Sequence, residues 1–318
     1  MASPAPTLAH RLQFGLYQVL ERVLGALPRP TVLAFGRAAG LLFCGLDARH
    51  RRVVRDNLRA AHLGLDEAAV RRLSRDCFQH FGALAFITLN QMRASAEELR
   101  ELTRIQGAEH LEAAIAEGKA VILTTGHLGN WELLGLTLSL SGWDMSVVGR
   151  ALDNPLLEAR LGAFRARFGN AVIPKAGAVR GALRAVKERR LVSFLVDQDA
   201  MTRGVFVKFM GRWASTYSTP GMLAARFQLP IVPIASRMLE DGRLEVTISP
   251  AFHAPATGDP ERDAWVATQR ITAWVEARVR EAPEQWFWMH RRFKTQPGPG
   301  TPEPPPEAWL TAFAKDQA

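Results

Sequence analysis

Two textures of hydrophobic patterning divide the chain. Up to about residue 100 the apolar positions recur with a helical period. RLQFGLYQVLERVLGAL over 11–27 is amphipathic, TVLAFGRAAGLLFCGL over 31–46 is apolar apart from Arg37, and an apolar stripe runs through 66–94. Ser95 followed by Glu98 is a capping-box signal that opens another helix. From about residue 104 short apolar runs alternate with amphipathic stretches. The runs are AVILTT (120–125), MSVVG (145–149), AVI (171–173) and LVSFLV (191–196), and helices are expected from Gly129, Pro155 and Ala178. This alternation predicts βαβ units on a mainly parallel sheet. A loop from Asp197 to Gly211, a further helix, two adjacent strands in IVPIASRM and RLEVTISP, and a long helix over about 260–281 complete the pattern.

The expected fold class is therefore α/β, a central, mainly parallel sheet flanked by helices, with an N-terminal membrane-associated helical segment. Three regions follow: a helical segment over 1–100, an α/β domain over 101–295 and a Pro-rich tail over 296–318. The tail begins QPGPGTPEPPPE, with six prolines between Pro297 and Pro306, and is expected to be extended.

Charge sharpens the reading of the N-terminus. Lys plus Arg number 40 against 31 Asp plus Glu, a net charge of +9 that favours an acidic partner. Over residues 1–63, nine arginines face only Glu21, Asp47 and Asp56, so +6 of that excess sits in the first fifth. Apolar helices beside clustered arginines suit an anionic membrane surface, where burial and headgroup attraction add. The competing reading is a helical subdomain whose arginines face solvent. No apolar run reaches about 18 residues, so a simple spanning helix is not expected, and residues 1–10 lack the basic region of a signal peptide. Cys44 and Cys77 lie among apolar residues without metal-ligand spacing, which points to core thiols in a reducing, cytoplasmic setting.

Candidate chemistry centres on TTGHLGNWELLG, residues 124–135. His127 falls in a strand-to-helix loop, where α/β sheets place ligands. A helix N-terminus favours neutral imidazole, as a general base requires, and Glu132 is a candidate for the carboxylate that fixes its tautomer. Gly126 and Gly129 allow the turn and leave room for a substrate. A structural, hydrogen-bonded loop histidine is the alternative. Asp197 and Asp199 follow LVSFLV at the same sheet edge, where they bind a divalent ion with His127 or, more simply, cap helices and bind arginines; no metal is expected. Arg150 also follows a strand. The aromatic and basic PEQWFWMHRRFK, ending near His290, Arg291 and Arg292, reads as an interface belt, a nucleic-acid contact or a buried aromatic strand.

GHLGNWELLG resembles the H-x4-D/E motif of the acyltransferases that add secondary lauroyl and myristoyl chains to lipid A. GRALDNP (149–155), FRARFG (164–169), LVDQD (195–199), GVFVKFMG (204–211) and PEQWFWMHRRFKT (283–295) resemble further segments of that family in the same order, covering roughly residues 10–295. The resemblance implies transfer of a fatty acyl chain from acyl carrier protein, as co-substrate, to a lipid hydroxyl, with no cofactor and no covalent enzyme intermediate. The sequence has no G-x-S-x-G elbow, in keeping with that. In this reading His127 is the base, Glu132 orients it, and Arg165 stabilises the oxyanion, with Arg167 as second candidate. Gly129, Asn130, Arg150, Asp197 and Asp199 contribute to substrate binding, and His290, Arg291 and Arg292 act as supports or headgroup contacts. The implied partners are acyl carrier protein, a lipid A precursor and the anionic cytoplasmic face of the inner membrane. Phosphatidylinositol mannoside acyltransferases share the motif and offer a second acceptor. A non-catalytic basic membrane-binding protein is the alternative of another class; the apolar N-terminus argues against nucleic acid.

Overall fold

The computed structural model describes residues 5–149, 152–174 and 177–317. Helices α1 (Leu8–Gly25), α2 (Arg29–Leu46), α3 (Ala48–Ala60), α4 (Glu67–Gln91) and the short α5 (Ala96–Glu101) lead the chain. Their starts are set by local side chains that satisfy first-turn N–H groups. Asp47 accepts from His50 N, Asp66 accepts from Ala69 N, and Ser95 and Glu98 cap each other reciprocally as the sequence predicts.

The polarity of α1 is inverted relative to a core-facing helix. Leu8 is 74% exposed, and Leu12, Leu16, Val19 and Val23 continue the same outward stripe. The charged Glu21 is buried instead, accepting from Arg160 Nε at 3.1 Å and Arg160 Nη2 at 2.6 Å. On α2, Val32, Leu33 and Cys44 are buried while Leu42, Phe43 and Leu46 are exposed. Among the described residues no single helix is long and apolar enough to cross a membrane; α2 and α3 together meet that test but bend by 94° at their junction.

The α/β region runs β1 (Thr103–Gln106), α6 (Ala108–Ala116), β2 (Val121–Thr125), α7 (Trp131–Leu140), β3 (Met145–Gly149), α8 (Pro155–Ala166), β4 (Ala171–Pro174), α9 (Ala178–Lys187) and β5 (Leu191–Leu195). It continues through β6 (Val205–Phe209), β7 (Arg212–Thr216), α10 (Thr219–Phe227), β8 (Ile231–Met238), β9 (Leu244–Ile248) and α11 (Pro260–Glu281). Seven strands form one sheet in the order β1-β9-β8-β2-β5-β3-β4. The sheet is mostly parallel. The two strands in IVPIASRM and RLEVTISP do pair, but antiparallel, because the Glu240–Asp241–Gly242 turn is too short for a crossover. β1 then pairs parallel to β9, so these two edge strands oppose the other five.

β2 is buried on both faces and serves two layers. Val121 and Leu123 pack with Leu133, Leu134, Leu136 and Leu138 of α7 on one side. Ile122 packs with Ala182 and Val186 of α9 and with Ile271 and Val275 of α11 on the other. Helices on both faces explain why its sequence reads as an unbroken apolar run.

Two elements differ from expectation. VFVKF, within the stretch expected as a loop, and RWAST, just beyond it, form the β6–β7 hairpin around Met210 and Gly211, both at positive φ. Beyond the prolines, where an extended tail is expected, α12 (Glu307–Gln317) places Trp309 and Phe313 against Trp265, with ring centroids 5.9 and 6.3 Å apart. Their i, i+4 spacing supplies one apolar helix face for that contact.

Candidate active site

The site forms where β2 and β5 end side by side. Thr125 pairs with Leu195, and Val196 N donates to Thr125 O at 3.0 Å. His127 and Asp197 each lie two residues beyond that last rung, so parallel register delivers them to the same point above the sheet's carboxyl edge. Asp197 Oδ1 lies 2.7 Å from His127 Nδ1, while Oδ2 accepts from His127 N at 2.6 Å and from Trp286 Nε1 at 2.7 Å. Gly126 is required here, since a Cβ at that position would come within 2.9 Å of Asp197 Oδ2.

Electrostatics assign the tautomer. Burial opposes ionisation of Asp197, but the charge of His127 and the hydrogen bonds from His127 and Trp286 outweigh it and bring the Asp197 pKa down to about 2. An ionised Asp197 accepts at Oδ1, so His127 carries its proton on Nδ1, and Nε2 keeps its lone pair. Nε2 lies 3.4 Å from Gln198 Nε2, and the His127 side chain remains 18% exposed. Trp131 and Phe287 flank the ring at centroid distances of 5.1 and 6.2 Å, and Phe81 of α4 touches both, giving the site an apolar wall.

Glu132 does not occupy the place that its spacing suggests. Asn130 caps α7 and Trp131 is its first residue, so Trp131 takes the helix face toward the imidazole and Glu132, a further ~100° around, points elsewhere. Glu132 instead holds Arg165 bidentately, accepting from Nε at 2.8 Å and Nη2 at 2.5 Å. Burial works against the Arg165 charge, yet Glu132 raises its pKa above the ordinary arginine value. The carboxylate that orients His127 is therefore Asp197, contributed by another strand, and Arg165 spends two donor groups on Glu132.

The remaining expected residues separate into groups. Gly129 sits at φ +58°, and any Cβ there would collide with Ser236 O, so its role is to let the loop pass β8. Asn130 is buried as the helix cap, accepting from Leu133 N at 3.0 Å and donating to Thr88 Oγ1 at 3.1 Å. Asp199 is buried beside the site: its N donates to His290 Nε2 at 2.8 Å, and Oδ2 accepts from Thr295 Oγ1 at 2.9 Å. Arg167 is exposed after α8 and lies over Phe168, 4.9 Å from the ring centroid. Arg150 lies outside the described residues.

The C-terminal aromatic segment proves to be part of the site. Phe287 N donates to His127 O at 3.0 Å and Gly129 N donates to Gln285 O at 3.1 Å, clamping the histidine loop. Trp286 and Trp288 are buried, and Arg292 is fully buried, donating to Ser215 O at 2.6 Å, Thr216 Oγ1 at 2.5 Å and Gln198 O at 3.2 Å. Burial lowers the Arg292 pKa to about 10 against the support of Asp197 and Asp199. Trp286 and Gln198 are functional neighbours that the sequence does not single out. Their only trace is position: one follows Asp197, and the other lies in a segment dense in aromatics.

A buried carboxylate paired with an imidazole whose Nε2 faces the Gln198 amide, set at the carboxyl edge of an α/β sheet, is an arrangement that can take a proton from a hydroxyl or from water. The chain belongs to the bacterial lipid A biosynthesis acyltransferase family, whose model matches residues 6–295. It is 27% identical over 278 residues to the lipid A biosynthesis lauroyltransferase of Escherichia coli K12, covering 85% of the chain and 88% of that protein. A lipid A biosynthesis acyltransferase of Haemophilus influenzae is 28% identical over 204 residues, covering 64% of the chain and 62% of that protein. The phosphatidylinositol mannoside acyltransferase of Mycobacterium tuberculosis is 30% identical over 139 residues, 42% of the chain and 44% of that protein. Family membership makes the chain an acyltransferase of glycolipid biosynthesis.

Proposed function

We propose that the chain transfers a fatty acyl group from acyl carrier protein to a hydroxyl of a lipid A precursor at the cytoplasmic face of the inner membrane. His127 Nε2 takes the proton of the acceptor hydroxyl as its oxygen attacks the thioester carbonyl. The tetrahedral oxyanion collapses, the C–S bond breaks, and the imidazolium returns the proton to the leaving thiolate. Asp197 remains an anion throughout and stabilises the imidazolium. Arg165, whose guanidinium plane Glu132 holds, is the candidate donor to the developing oxyanion. The acyl chain lies along Phe81, Trp131 and Phe287, and no cofactor takes part.

The observation that carries this reading is the Asp197–His127 pair, anchored by Trp286 and partly exposed beside an apolar wall, with Nε2 met by the Gln198 amide at 3.4 Å. Membrane placement is supported by the outward apolar stripe of α1 and the buried position of Glu21. The stretch of 139 residues shared with the mycobacterial mannoside acyltransferase supports a phosphatidylinositol mannoside as second acceptor. The test mixes purified protein with acylated carrier protein and a tetra-acylated, Kdo-bearing lipid A precursor and follows product mass. Added acyl mass that disappears in a folded His127→Ala variant supports both acceptor and base. Transfer only to a phosphatidylinositol mannoside replaces the acceptor, and full transfer by the variant removes His127 from the chemistry.

A further inference from the structure

A cleft of about 660 Å³ opens on the side of the molecule formed by α3, the β6–β7 hairpin and the segment after His290. Five cations line it: Arg49 and Arg52 from α3, Arg212 from β7, and Arg291 and Lys294. The single acidic lining residue, Asp56, is engaged by Arg59 Nη1 at 3.3 Å. Among the described residues no ion pair involves Arg49, Arg52, Arg212, Arg291 or Lys294, although Arg212 lies over Phe293, 5.7 Å from the ring centroid. Five like charges converging on one concavity repel each other, and one carboxylate in the lining, Asp56, does not balance them. Ala48 and Arg49 in the first turn of α3 add the positive end of its dipole to the same mouth. None of these cations takes part in the proton and acyl transfer steps proposed above, and only Arg291 is expected as a support or headgroup contact.

The neighbourhood of the mouth indicates what fills it. The end of α2 exposes Leu42, Phe43 and Leu46, the last at 76%, and Phe43 lies 6.1 Å from the His50 ring of α3. The 94° bend between α2 and α3 separates this apolar shelf, finishing at Leu46, by one residue from the α3 turn whose Ala48 and Arg49 line the cationic hollow. Acyl chains against the shelf with a phosphate in the hollow satisfy both surfaces at once. We propose that this cleft binds the phosphate of an anionic lipid headgroup whose acyl chains lie against the exposed end of α2. The assignment rests on the membrane placement of α1 and α2 in the proposed function. The cleft's floor meets the active-site segment, since Asn57 Nδ2 donates to Trp288 O and His290 O, each at 2.7 Å. Lipid bound there is held against the segment that clamps His127.

The test measures partitioning of the full chain onto vesicles of phosphatidylcholine with and without phosphatidylglycerol. Compared with wild type are Arg52→Gln/Arg291→Gln and a control that removes equal charge from exposed positions of α9, Arg180→Gln/Arg184→Gln. The cleft variant is expected to bind phosphatidylglycerol vesicles on the order of thirtyfold more weakly, and the control within about threefold of wild type. A photoreactive phosphatidylglycerol analogue is expected to label peptides spanning 48–60 or 291–294. Equal losses in both variants, or labelling confined to α1, overturn the cleft as the site. Glycerol 3-phosphate binding as tightly as the vesicles makes the occupant a free phosphate ester and overturns the lipid. Wild type that binds no vesicle at all defeats the membrane placement itself.

Discussion

Replacing Asp197 by Asn separates the two carboxylates near His127 by experiment. The native carboxylate receives three N–H groups, His127 Nδ1 at Oδ1 and His127 N and Trp286 Nε1 at Oδ2. An amide has one acceptor oxygen and can be placed in two ways. If its NH2 faces His127 N and Trp286, two buried donors lose their partner, at about 1–3 kcal/mol each. If its NH2 faces Nδ1, the oxygen keeps both fixed donors, and the imidazole answers by moving its proton to Nε2. The second arrangement leaves every donor satisfied, so the variant folds at a cost smaller than about 2 kcal/mol while the lone pair needed for catalysis disappears. The corresponding exchange in Ser-His-Asp enzymes lowers kcat by about 10⁴, and a fall of that order is expected here. The assay is single-turnover acyl transfer from carrier protein, run beside thermal unfolding and ¹⁵N NMR of the His127 ring to report the tautomer. Transfer by Asp197→Asn within about tenfold of wild type, from a protein with native stability, would refute the assignment of Asp197 to His127.

Glu132→Gln is expected to slow transfer through Arg165 while leaving the His127 ring tautomer unchanged; ¹⁵N NMR of the ring checks this, and a changed tautomer restores Glu132 to the histidine. Acid stability follows from Asp197: its folded pKa of about 2 lies below the unfolded value near 3.8, so its contribution is complete above pH ~4 and lost as pH falls toward 2. Unfolding followed by circular dichroism is expected to show this loss in wild type and not in Asp197→Asn. Arg292→Met leaves Asp197 and Asp199 without their buried cation and is expected to cost about 3–5 kcal/mol in denaturant unfolding, with Arg292→Lys failing to restore stability because one ammonium cannot span three acceptors. Leu12→Glu/Leu16→Glu on α1 is expected to release the chain from anionic vesicles with little change in melting temperature, since both side chains are already exposed.

Periodicity located most helices and the strands of the parallel sheet because β2 and β5 carry no charged residue, and their few polar positions, Thr124, Thr125 and Ser193, are small and buried. The hairpin is not legible because Gly204 and the Met210–Gly211 turn make VFVKFMGRW read as a loop when no partner is known. His127 stood out because a strand-to-helix loop is a chemical location in this fold class. Its partner did not. Spacing along the chain favours Glu132, five residues away, whereas Asp197 becomes adjacent only once β5 is known to lie next to β2, a fact of strand order that no local pattern contains. Arg292 is expected as a support or a headgroup contact, and it proves a support; its full burial is what the sequence does not show, since a buried arginine and a solvent-facing one look alike in a run of basic residues.

The clamp that residues 283–295 place across the histidine loop ties the base to a distant part of the chain. β2 and β5 deliver the imidazole and its carboxylate, but Asp197 takes its tryptophan donor from Trp286, 89 residues further on, and its buried counter-charge from Arg292. Loosening that segment alone would leave His127 and Asp197 in register on the sheet yet weaken the anion that holds the imidazole. The strength of the base is thereby coupled to the integrity of a strap that supplies no reacting atom.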